Sequence, residues 1–125
     1  RPDEFVRLLD ELDSPWVVGC LDLGHCALVG REPQDVIRAM GAKRLQALHV
    51  HDVNYVRDCH TMPFMESLDW EAITRALAEI GYEGDFTLEA DEFLRGLPPE
   101  LMPEASVLMA KTGRYLMKRI EEQRV

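Results

Sequence analysis

The sequence predicts an α/β protein built around a parallel sheet. Three observations carry this. Helical periodicity alternates with short apolar runs along the whole chain, in the order α-β-α-β-α-β-α. The first of these runs, Trp16 to Leu21, is continuously apolar, as in strands buried on both faces. Each run also ends in side chains able to bind a metal: Asp22 in Asp22-Leu23-Gly24-His25, His49 and His51 in Leu48-His49-Val50-His51-Asp52, and Glu89 in Leu88-Glu89. Parallel strands that end in polar ligands build one site at one face of such a fold.

Phe5, Leu8, Leu9 and Leu12 repeat at helical spacing, with Asp3 able to cap the start and Ser14-Pro15 ending the helix. Trp16 to Leu21 reads as the first strand. Pro33 suits the first turn of a second helix carrying Val36, Ile37 and Met40, with Gly41 as its stop. Leu45 to Val50 is the second strand, and a polar loop runs from Asp52 to Leu68. A third helix starts near Asp69 and buries Trp70, Ile73, Leu77 and Ile80. Gly81-Tyr82-Glu83-Gly84 turns into a third strand, Phe86 to Glu89. A proline-containing loop leads to a last helix with Leu101, Ala105, Leu108, Tyr115, Leu116 and Ile120, whose charged end is a solvated terminus.

The bulk numbers restrict function. A length of 125 residues suits one domain, and 46% hydrophobic residues suffice for a core. The net charge of −9 argues against a nucleic-acid partner, because phosphate backbones call for a basic surface. It also disfavours anionic membranes, and no run approaches the roughly 20 apolar residues of a membrane helix. Cys20, Cys26 and Cys59 show no CxxC spacing and read as reduced thiols of a cytoplasmic protein. Cys26 and Cys59 adjoin the ligand motifs, but their default reading is small, partly buried residues.

Strand periodicity places Cys20 and Asp22 on one face, Leu45, Ala47, His49 and His51 on one face, and Thr87 and Glu89 on one face. The opposite faces are apolar and suit helix packing. In a closed barrel the polar faces line the interior, which makes Asp22, His49 and Glu89 the candidate metal ligands. Mixed carboxylate and imidazole ligands suit Mn²⁺, Zn²⁺, Co²⁺ or Fe²⁺ better than Ca²⁺.

Asp-x-Gly-His at 22–25, His-x-x-Asp at 49–52, Asp-x-His-x-x-Pro-Phe at 58–64, Leu-Asp-Trp at 68–70 and Gly-Tyr-x-Gly-x-x-x-Leu-Glu at 81–89 together resemble the sugar phosphate isomerase/epimerase family. That family belongs to the xylose-isomerase-like barrels, which also include apurinic endonucleases of the endonuclease IV type. The resemblance runs from about Val17 to Ala90. It implies a (β/α)8 TIM barrel binding a divalent metal through Glu, Asp, His and Glu. Asp22, His49 and Glu89 match the last three of these ligands, and the first Glu has no counterpart here. The chain, 1–125, then resembles a single partial domain: the C-terminal portion of the barrel, three parallel βα units preceded by a helix. A full barrel has about 250 residues, and the chain opens on Arg1 without Met, so an upstream half is expected.

By the same resemblance His25 is a catalytic or substrate-contacting residue. His51, Asp52, Asp58 and His60 line the substrate side; Arg57, by its own charge, is a candidate partner for an anionic or hydroxylated substrate, with an exposed loop arginine as the alternative. Asp52 matches a loop carboxylate that shapes the site. Asp58 and His60 match a pair that holds a further metal in the endonucleases and contacts substrate in the isomerases. Glu66 departs from the pattern, since relatives frequently carry Gly there.

The implied activity is metal-dependent (Mn²⁺, Zn²⁺ or Co²⁺) isomerisation or epimerisation of a sugar or sugar phosphate through an enediolate. Glu89 would act as ligand and base, and the fragment alone would lack one ligand. The alternatives are an apurinic endonuclease-type phosphodiesterase, a polyol dehydratase, and a non-catalytic self-associating fragment. Three strands need cover on their edges and open face, so a homo-oligomer is expected.

Overall fold

The run Leu45–Val50 forms the central strand of a three-stranded parallel sheet, flanked by the two shorter runs on either side. The computed structural model describes residues 2–124. Their order is α1 (Pro2–Leu12), β1 (Gly19–Asp22), α2 (Leu23–Leu28), α3 (Pro33–Arg44), β2 (Leu45–Val50), α4 (Trp70–Glu79), β3 (Asp85–Leu88), α5 (Asp91–Arg95), a 3-10 turn (Pro99–Leu101) and α6 (Met102–Gln123). The sheet order is β1-β2-β3, with both pairings parallel. The alternation read from the sequence is therefore present, with helical crossovers between adjacent strands.

The core lies between the sheet and its helices. Leu21, Leu48 and Val50 meet Ile37 and Met40 of α3, Ile73 and Leu77 of α4, and Leu116 and Ile120 of α6, all buried. Asp69 caps α4 by accepting the Ala72 N–H at 2.9 Å. Gly41 breaks α3 as the sequence predicts: its φ of 67° is left-handed, a conformation glycine adopts without steric cost. No described helix is long and apolar enough to cross a membrane.

Four features differ from the sequence reading. The first strand starts at Gly19, not Trp16. Ser14 holds the intervening residues in a turn: its Oγ accepts the Trp16 N–H and its carbonyl accepts the Val17 N–H. Trp16 is left 91% exposed. The register shifts between Gly19↔Leu45 and Cys20↔Ala47, a bulge that skips Gln46. Leu45 is thereby turned into the helix-side core rather than onto the face of His49. The third strand spans Asp85–Leu88, so Glu89 lies just past its end. Finally, α2, α5 and the 3-10 turn were not legible, being too short for helical periodicity.

Candidate metal centre

The parallel register sets the site. Asp22 pairs with His49 across β1 and β2, and Val50 with Leu88 across β2 and β3. The Glu89 N–H continues that ladder by donating to the Val50 carbonyl at 2.9 Å. Three potential ligands thus stand side by side where three neighbouring strands end.

Asp22 closes β1 and caps α2, its Oδ1 accepting the His25 N–H at 2.8 Å. The same oxygen lies 2.9 Å from His51 Nε2, and Oδ2 lies 2.8 Å from His25 Nδ1. Burial works to raise the Asp22 pKa. The His51 hydrogen bond, the His25 amide and the two nearby imidazoles outweigh it and hold the carboxyl at about 2. Asp22 is therefore an anion at neutral pH, as a ligand must be.

His49 Nδ1 sits between two carboxylates, 2.8 Å from Glu89 Oε2 and 3.9 Å from Asp22 Oδ2. The shorter contact is not aligned as a hydrogen bond, and Glu89 Oε2 is shielded from solvent with no hydrogen-bond partner. A buried carboxylate oxygen without a donor is costly. Next to an imidazole nitrogen it marks a place for a shared cation. Asp22, Glu89 and His51 also offer ligand atoms within 4.8 Å of one another. His51 Nε2 already meets Asp22, and His49 stands beside this group with its Nδ1 2.8 Å from Glu89 Oε2.

A second cluster lies beside the first. Asp58 receives a ring nitrogen on each oxygen: His60 Nε2 at 3.1 Å from Oδ1 and His25 Nε2 at 3.1 Å from Oδ2. His60 Nδ1 lies 3.1 Å from the Glu89 carbonyl oxygen, an acceptor only, so Nδ1 carries the proton. Nε2 of His60 then meets Asp58 with its lone pair unless it is protonated or shares a cation with that carboxylate. Partial burial works to lower the His25 pKa, but Asp58 and Asp22 raise it above the ordinary histidine value.

Ligand atoms of His25, His51, Asp58 and His60 also fall within 4.8 Å of one another. The rings of His51 and His60 are stacked, with centroids 4.0 Å apart and planes 11° from parallel. Imidazole lone pairs lie in the ring plane, and one ion cannot lie in two parallel planes. His51 therefore does not ligate together with His60, and His25, Asp58 and His60 form the second set.

Two expected substrate contacts are placed elsewhere. His51 is fully buried, stacked on His60 and bonded to Asp22. Asp52 is also fully buried and accepts five N–H groups: Val53 N and Leu68 N on Oδ1, and Phe64 N, Glu66 N and Trp70 Nε1 on Oδ2. Its oxygens are used by the loop, so it shapes the site and touches no ligand. Glu66 gives this net a backbone N–H and has no left-handed φ, so nothing at this position requires glycine. Arg57 is exposed and its guanidinium makes no hydrogen bond among the described residues, while its N–H donates to Asn54 Oδ1 at 2.9 Å. Burial first, then Glu32 and Asp22, push the Cys26 thiol up to about 11, which keeps it protonated at neutral pH.

Sequence reasoning gave no role to Gly24. A Cβ there would stand 2.1 Å from His51 Cε1 and 2.6 Å from each ring nitrogen. Gly24 is the wall against which the buried imidazole lies.

A family model described as xylose isomerase-like TIM barrel matches residues 1–112. The chain belongs to that family. Relative to a xylose isomerase-like TIM barrel, the described residues supply three parallel strands with their helices, a partial barrel. The chain is also 36% identical over 85 residues to the uncharacterized protein y4fM of Sinorhizobium fredii (strain NBRC 101917 / NGR234), covering 68% of this chain and 27% of that protein. It therefore spans well under half of the relative's length. Within the xylose isomerase-like frame, the residues present fit a divalent cation. Glu89 Oε2 is buried without a donor, and the donor set of imidazole and carboxylate suits Mn²⁺, Zn²⁺ or Co²⁺.

Proposed function

We propose that the chain carries part of the active site of a divalent-metal-dependent sugar or sugar phosphate isomerase or epimerase. The observation that supports this most is the convergence of Asp22, His49 and Glu89 at three adjacent strand ends, with Glu89 Oε2 lacking any hydrogen bond 2.8 Å from His49 Nδ1. A cation held by these residues would supply Lewis acidity, lowering the energy of negative charge that develops beside a substrate carbonyl.

The rest is the work of the side chains. Glu89 has two carboxylate oxygens. With Oε2 beside His49, Oε1 is left to take a proton from the carbon next to the carbonyl and return it to the neighbouring carbon. His25 is half-exposed, with Nδ1 on Asp22 and Nε2 on Asp58, so a substrate oxygen would take its Nε2 hydrogen in place of Asp58. Asp52 fixes the loop that carries Asp58 and His60.

Glu89→Gln tests the reading. The purified chain is expected to bind Co²⁺ or Mn²⁺ at the strand ends. The variant should bind more than about a hundredfold more weakly, beyond what losing an outer partner of a ligand costs. Calorimetry showing equal affinity for both would reject Glu89 as a ligand, and turnover of aldose or ketose substrates is then scored on the cation-loaded protein.

One observation favours a second reading, a metal-dependent phosphodiesterase acting on abasic DNA. Asp58 gathers His25 and His60 on its two oxygens, ready for a further cation. The charge of −9 weighs against a DNA substrate. Cleavage of an abasic duplex would select this reading over the isomerase.

A further inference from the structure

His51 touches both clusters. Its edge faces Asp22, with Nε2 2.9 Å from Oδ1, and its face lies on His60 at 4.0 Å. Nδ1 is buried with no partner. Asp22 accepts only, so Nε2 carries the hydrogen, and a second N–H at Nδ1 would be a buried donor with nothing to bond. The ring thus takes the Nε2–H tautomer. Gly24 closes off the Cε1 side, so the imidazole cannot turn without leaving its seat.

The two contacts govern different things. The Nε2–H bond holds Asp22 Oδ1 together with the His25 amide, while His25 Nδ1 meets Oδ2, and so helps set the oxygen that Asp22 offers to the strand-end cluster. The stacked face packs on His60, whose ring also meets the Glu89 carbonyl through Nδ1–H, Asp58 through Nε2, Asp91 at 3.8 Å and the edge of His25. His60 sits at a left-handed φ of 36°, a conformation that persists only where surroundings impose it. We propose that His51 is a positioning residue shared by the two clusters, holding Asp22 with its edge for one and His60 with its face for the other. Its cation arm rests on the metal reading above, whereas its metal-free arm does not.

The test separates edge from face. His51→Gln keeps an N–H donor at the position of Nε2 and removes the ring. His51→Phe keeps a flat ring and removes the donor. Co²⁺ titrations followed by absorbance read the strand-end cluster in an Asp58→Asn background and the loop cluster in a Glu89→Gln background, where the Glu89 carbonyl remains. The expected pattern is crossed. His51→Phe should weaken the strand-end cluster about 10–100-fold and spare the loop cluster, and His51→Gln should do the reverse. Equal losses at both clusters from both variants would reduce His51 to a packing residue and overturn the proposal, as would no loss at all.

If neither parent background binds Co²⁺, the metal reading fails and the metal-free chain still decides the matter. Its long-range ¹H–¹⁵N spectrum should show His51 as the Nε2–H tautomer with ring protons shifted by stacking. His60→Ala should abolish that shift while keeping the tautomer. An Nδ1–H tautomer, or a shift indifferent to His60, would refute the shared role.

Discussion

Replacing Asp52 by asparagine is expected to destabilise the chain by about 3–5 kcal/mol, because two or three buried N–H donors lose their acceptor at about 1–3 kcal/mol each. A domain of this size has about 5–15 kcal/mol in total. The carboxylate is acceptor-only on both oxygens, and all five of its partners are donors. Asparagine would turn one oxygen into an NH₂ group aimed at two or three N–H groups. Hydrogen bonds to a charged acceptor are worth about 1.5–3 kcal/mol each, and their buried donors would be left unmet. The damage should also reach the chemistry, because Asp58 and His60 ride on the loop between Asp52 and Trp70. Urea unfolding measures the first effect and Co²⁺ affinity at the loop cluster the second. A variant within about 1 kcal/mol of the parent, no more than one unmet buried donor costs, would show that the loop is held by something else.

Gly24→Ala should also be damaging, against the local preference of a helix. Gly24 lies in the first turn of α2, where alanine would ordinarily be favoured by up to about 1 kcal/mol. Here the new methyl would fall 2.1 Å from His51 Cε1, and the imidazole is fully buried with no space to retreat. Overpacking of this kind costs about 1–3 kcal/mol. The ring must move, and Asp22 loses its fixed donor. Calorimetric melting should show the lower stability, and strand-end cation affinity should drop about tenfold or more. Unchanged melting and affinity together would mean that the His51 seat is not rigid.

The parts legible in the sequence were those with a long period or a strong endpoint. β2 is legible because Leu45, Ala47, Leu48 and Val50 make a mainly apolar stretch of strand length that leads into His51-Asp52. The α4 start was marked by Asp69, whose side chain caps it. The beginning of β1 was misplaced because Trp16-Val17-Val18 is as apolar as a strand, while a serine-centred turn takes its amides. Leu45 was put on the wrong face because one skipped residue in a register leaves no trace in composition.

At the site, strand periodicity brought Asp22, His49 and Glu89 to one end of the sheet on paper, and the structure places their side chains within reach of one another. The burial of His51 and the number of donors that Asp52 gathers are not readable from the sequence, although the resemblance implies that Asp52 shapes the loop. Whether a polar side chain meets solvent or backbone donors depends on what folds over it. The Asp52 donors come from as far along the chain as Trp70, and the His51 wall is a glycine that precedes it by most of a βα unit.

The Asp52 net has a bearing on how such a loop can drift in sequence. Four of its five donors are main-chain N–H groups, from Val53, Phe64, Glu66 and Leu68. Every amino acid but proline brings that group, so the loop's shape is largely indifferent to which side chains stand at those positions. Exposed neighbours such as Val56 and Arg57 lie outside the net altogether. This exposed stretch can therefore be rewritten by point substitution while the loop's anchorage persists, so one frame can carry many different loop surfaces.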